Sequence, residues 1–143
     1  MSGTGESEAD FAGEARAFRI RLGELRRIEA RCGVGIGEVL RRLSRCVMLV
    51  SRLSHVEALA SGIEIAADDV REPIYQGLIG AGMAPGEASK LLRVEIDDRG
   101  VRGLLENAPV ALGALWASRE TPDGDDLEAN PSGEPQAGAS PAS

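Results

Sequence analysis

The chain has 143 residues, of which 43% are apolar and only 3% aromatic, and its net charge is −7. That is room for one domain with a core of Leu, Val, Ile and Ala, which favours helix-on-helix packing over an aromatic-rich sandwich. Cys32 and Cys46 are far apart and lack a CxxC spacing, so neither a disulfide framework nor a zinc site follows, and residues 46–50, the longest uncharged apolar run, are far too few to span a bilayer.

The acidic opening MSGTGESEAD lacks the basic-then-apolar pattern of a secretory signal, so a soluble cytoplasmic protein is expected. Residues 1–9 read as a flexible N-terminus, 10–118 as a helical domain and 119–143 as a separate tail. Charge is unevenly spread. Residues 11–60 hold ten Arg against five acids, whereas the tail holds six acids against one Arg. Such asymmetry fits an orientation-sensitive binding surface or attraction within the monomer.

Residues 17–22 alternate, with Phe18, Ile20 and Leu22 on one face, as in a half-buried strand. Gly13 upstream offers a turn into a hairpin near Phe11, although a helix from Ala15 is the alternative. Leu22, Leu25, Ile28 and Cys32 take up helical spacing and stop at Gly33. A second helix opens near Ile36. Val39, Leu40, Leu43, Cys46, Val47, Val50 and Leu53 form its apolar stripe, and Arg41, Arg42, Arg45 and Arg52 lie off it. Met48 and Leu49 break that amphipathic pattern, so the helix is covered on both faces or exposes an apolar patch.

Asp68 caps a third helix with Val70, Ile74 and Leu78 on one face, Pro73 within or just after its first turn, and Gly77, Gly80 and Gly82 ending it. Pro85 fits the first position of a fourth helix that buries Ala88, Leu91, Leu92 and Ile96. Val101, Leu104, Leu105, Ala108, Ala111, Leu112 and Leu115 make a fifth, kinked at Pro109 and closed by Trp116. Beyond it, four prolines and a single large apolar residue, Leu127, cannot build a core. The expected fold class is therefore mainly α, with four to five helices, a short N-terminal β-strand or hairpin and a disordered acidic C-terminal tail.

Residues able to carry catalysis are sparse. His55 is the one histidine and has no metal-ligand spacing around it. The pairs Asp68–Asp69 and Asp97–Asp98 read as helix-end charges, because adjacent helical residues point apart. The glycines at 33, 35 and 37 lack the Lys-Ser/Thr of a phosphate loop and read as a helix–helix turn. Cys32 and Cys46 read as core residues. The third and fourth helices imitate a helix-turn-helix, but Lys90 and Arg93 face Glu87 and Glu95, poor equipment for a DNA groove. No catalytic residue, cofactor site or metal site is expected, and neither nucleic acid nor membrane is the expected partner. Partner contacts are expected at Met48, Leu49 and Leu53, with Arg45 and Arg52 as rim charges, although a core role is the alternative for Met48 and Leu49.

Residues 68–83, DDVREPIYQGLIGAGM, run from an acidic helix start through an apolar seam to a glycine-rich turn. Together with Gly13-Glu14, Phe18, Leu22-Gly23-Glu24-Leu25 and Glu29, then Arg42-Leu43 and Leu91-Leu92, they resemble the tail assembly chaperone family of gene transfer agents and long-tailed phages, also labelled phage tail tube protein. The resemblance spans about 11–118. It departs at 44–67, which is longer than the usual connection and lacks its tryptophan, so that the second helix is extended or an extra one is inserted. It departs again at Ala84, where an acidic cap is usual.

The resemblance implies a small, mostly helical, non-enzymatic protein. Such a chaperone coats the helical tape-measure protein, helps recruit the tail tube protein, and leaves before a phage-like particle is complete. A structural tail component is the alternative, and a helix-turn-helix DNA-binding regulator a more distant one.

Overall fold

The computed structural model describes residues 5–62 and 64–119. The expectation of a disordered tail falls on residues outside this range. Strands β1 (Glu6–Phe11) and β2 (Glu14–Arg19) pair antiparallel, with Phe11 opposite Glu14 and Glu6 opposite Arg19. Ala12 and Gly13, with φ of 56° and 84°, make the two-residue left-handed turn that matches strand twist. The hairpin was expected, but its bounds differ. β1 begins at Glu6, inside the segment read as a flexible N-terminus, and β2 stops at Arg19. Leu22 was expected on the buried strand face, yet it opens a helix and is 62% exposed. The alternation of 17–22 overran the strand end because Arg21 already starts a helical turn, its N–H donating to Glu24 Oε1 at 2.7 Å.

Helix α1 (Leu22–Cys32) buries Ile28 and stops at Gly33, whose φ of 76° only glycine adopts freely. Helix α2 (Ile36–Arg52) buries Val39, Leu40, Leu43 and Cys46 of its predicted stripe, while Val47, Val50 and Leu53 are only half-buried. A short helix α3 (His55–Ala60) follows, so that of the two alternatives for the long connection, an extended second helix or an inserted one, an extra helix is present. It begins with a reciprocal cap between Ser54 and Glu57, a signal legible as S-x-x-E in the sequence.

Helix α4 (Ala67–Gly80) is the centre of the domain, packed against α1, β2 and the last helix, α6 (Gly100–Arg119). Val70, Ile74 and Leu78 are completely enclosed. Ala66, and not Asp68, is its N-cap, so Pro73 is the seventh residue, deeper than its first turn.

Gly80 is the last residue of α4, as expected, whereas Gly77 lies within it. Both let β2 approach: a Cβ at Gly77 would stand 3.0 Å from Phe18 Cδ2, and one at Gly80 would stand 2.0 Å from the Arg19 carbonyl oxygen. The chain turns afterwards at Gly82, where φ is 110°.

Helix α5 (Pro85–Glu95) has its proline at the start and buries Ala88 and Leu92. A 3-10 turn (Asp97–Arg99) leads into α6, which runs on through Pro109. Leu105, Ala108, Ala111 and Leu115 face the core, but Trp116 does not close that face. It is 44% exposed.

The core is thus aliphatic, as composition requires, with Phe11 and Phe18 as its aromatic members. Asp69, Glu72, Gln76 and Asn107 are the polar residues buried with it, and Asp69 is the most enclosed. At 2% exposure on α4 it meets Arg42 of α2, whose Nη2 donates to Oδ1 at 2.9 Å while Nε lies 2.8 Å from Oδ2. This two-pronged geometry fixes how α2 lies on α4.

Candidate partner-binding surface

Of the residues singled out on α2, Arg45, Met48 and Arg52 share its outer side, together with Arg41. Positions 41, 45, 48 and 52 recur at three- and four-residue intervals, and Arg41, Arg45, Met48 and Arg52 are all exposed. Met48 has 56% of its surface open to solvent. Leu49 and Leu53 are half-buried, and Leu53 caps α2 with its N–H on the Leu49 carbonyl at 2.9 Å. Arg45, Met48 and Arg52 therefore form a presented face, while Leu49 and Leu53 sit at its inner edge.

Three apolar residues absent from the expected set extend what α2 offers. Val56 and Leu59 of α3 are 74% and 47% exposed, with Ala58 alone of that helix buried. Trp116 of α6 borders an open hollow of about 560 Å³ with Ile36, Leu40, Arg41 and Arg119. The Arg119 guanidinium lies 5.0 Å from the Trp116 ring centre, a cation–π contact. A second hollow of about 470 Å³ lies between α2 and the loop after α3, with Arg41, Arg45 and Leu49 in its wall. Arg41 stands between the two hollows and shares its charge with Glu38, its Nε donating at 3.0 Å. Periodicity had marked which residues leave the α2 stripe, but not which of them remain uncovered.

Several other charged residues hold elements together. Arg71 donates to both oxygens of Asp97, at 2.7 and 3.1 Å, tying α4 to the 3-10 turn. Arg99 grips Glu106 and Glu95. The hydrogen bond from Arg99 holds the Glu106 carboxyl below the usual range, with His55 adding to the effect. Each acidic pair therefore has a member in a structural ion pair. At the glycine turn before α2, Glu29 Oε2 accepts the Ile36 N–H at 3.0 Å. The chain's own carboxylate thus occupies the anion-attracting helix start. Among the described residues no group of three acidic, His or Cys side chains could hold a metal.

Neither thiol is activated. Burial, with Asp69 next in effect, pushes the Cys32 thiol up to about 12, and its S–H points at the Asp68 carbonyl at 3.4 Å. Burial also raises Cys46. Cys32 is then about one part in ten thousand thiolate at pH 8. A thiol-selective reagent at pH 8 should leave both cysteines of the folded chain unmodified and react with both in denaturant. Rapid labelling of the folded chain would contradict this arrangement.

The family model described as phage tail tube protein, GTA-gp10, matches residues 4–118. The chain belongs to this family. It is accordingly a tail protein of the phage and gene-transfer-agent type, as the run 68–83 had indicated. That run holds Asp69 and the two glycines against which β2 packs, so what carries the resemblance is largely the architecture of α4. The family's description speaks of the tail tube and is silent on assembly chaperones. No curated protein and no solved structure matches the chain. Among the described residues no helix is long and apolar enough to cross a membrane.

Proposed function

We propose that this tail protein is a non-enzymatic assembly chaperone. It binds the apolar, helix-prone tape-measure protein in the bacterial cytoplasm, keeps it from aggregating, and aids tail tube assembly. The observation behind this reading is the uncovered apolar surface at Met48, Val56 and Leu59, borne by a domain whose own core is closed. An amphipathic partner helix can lay its stripe on such residues, with Arg45 and Arg52 meeting its charged flanks. Apolar contact supplies affinity, and the arginines set orientation.

Replacing Met48 and Leu59 together by Glu should weaken tape-measure binding by about 100-fold or more, since each buried apolar side chain is worth about 1.5–3 kcal/mol and about 1.4 kcal/mol is tenfold. Both residues are exposed, so thermal unfolding should be nearly unchanged. Val94→Glu on α5, also at an exposed position, serves as the control and should bind normally. Undiminished binding by the double variant would sink this reading of the surface.

A second reading, favoured by the family's description, is a structural component of the tail tube. It predicts the protein in purified particles. The described residues contribute a two-stranded hairpin to any sheet that a tube would need.

A further inference from the structure

We propose that the acidic segment following Arg119 folds back over the basic side of α2 and covers the hollow that Trp116 borders. The point of departure is the first argument. α6 reaches Arg119, and Arg119 itself stands in the wall of that hollow beside Trp116 and across from Arg41. Residues leaving α6 therefore start at the rim of an apolar recess.

Charge is the second argument. Residues 120–128 contain Glu120, Asp123, Asp125, Asp126 and Glu128 and no basic residue. They depart beside α2, which presents three exposed arginines, Arg41, Arg45 and Arg52, as α1 does at Arg26, Arg27 and Arg31. Arg41 is shared with Glu38, and Glu38 and Glu64 also face the second hollow, so the local field is basic but not saturated. Acids supplied by the following segment complement the unmatched excess.

Reach and apolar content supply the third. Leu127, flanked by Asp126 and Glu128, is eight residues beyond Arg119 and can extend up to about 28 Å from it. From Arg41 to Arg45 is one turn of α2, about 6 Å. Leu127 can thus reach Trp116, or pass Arg41 towards Met48, with acids on either side to meet the arginines. Tethering makes the encounter intramolecular, so weak contacts suffice. Docking here would shield the face to which the proposed function assigns the partner, but the inference stands independently of that reading.

Trp116 is the chain's one tryptophan and reports directly on cover over the hollow. Fluorescence quenching by acrylamide should be compared for the full chain, for a chain stopped after Arg119, and for a full-length variant carrying Asp123→Asn, Asp125→Asn, Asp126→Asn and Glu128→Gln. At about 0.01 M salt, where charges act over about 30 Å, Trp116 of the full chain should be protected and emit at shorter wavelength than in either altered chain. At about 1 M salt, where the range falls to about 3 Å, the differences should vanish. Protection should not change on dilution. Equal quenching of all three chains at low salt would overturn the proposal. So would protection that is lost on dilution, which would mark a second copy as the occupant.

Discussion

Replacing Gly80 by Ala should destabilise the domain by about 3 kcal/mol or more, read as a lower urea midpoint. At an open helical site the same change stabilises, because Ala is favoured over Gly by about 1 kcal/mol. Gly80 is not open. A Cβ there would stand 2.0 Å from the Arg19 carbonyl oxygen, a backbone atom that cannot move without shifting β2. Gly77→Ala should be milder, since its nearest neighbour at 3.0 Å belongs to the Phe18 ring. Gly113→Ala is the matched control: it lies in α6 with nothing within 4 Å, and there Ala should raise stability. A Gly80→Ala chain as stable as the parent would mean that α4 and the hairpin do not meet so closely.

Asp69→Ala carries the second large expectation, a loss of about 2–3 kcal/mol. Removing the carboxylate leaves the Arg42 guanidinium without the partner that it meets at 2.8 and 2.9 Å. A wholly enclosed pair would lose more, but the Arg42 side chain keeps 34% of its surface and water can take part of its charge. Arg42→Leu added to Asp69→Ala should recover most of the loss, because no unpaired charge then remains. Urea unfolding of the two singles and the double measures this coupling. Strictly additive losses would show that the pair does not act as a unit.

What was legible in the sequence follows from which physics is local. The stop of α1 at Gly33, the buried stripe of α2 and the proline opening α5 rest on signals within one or two turns, and all lie where expected. Gly77 was read as ending a helix that continues to Gly80, and the close packing at both glycines was not legible, because it comes from Phe18 and Arg19, some sixty residues away. β1 was placed only as a partner near Phe11, and its start at Glu6 was missed, because Ala9 and Phe11 are its apolar residues and its order comes from pairing with β2. On α2, the interruption of a regular pattern at Met48 and Leu49 marked one exposed apolar residue, Met48, and one half-buried, Leu49. Val56, Leu59 and Trp116 were not found, since periodicity places residues on a stripe and is blind to whether another element covers it.

The most direct test of the chaperone role is co-expression with the tape-measure protein encoded nearby, measuring its soluble, co-eluting fraction alongside the composition of finished particles. A soluble complex, with this protein missing from mature particles, is the predicted result. A tape measure that aggregates regardless, with this protein retained in purified particles, would contradict it and establish a structural tail component.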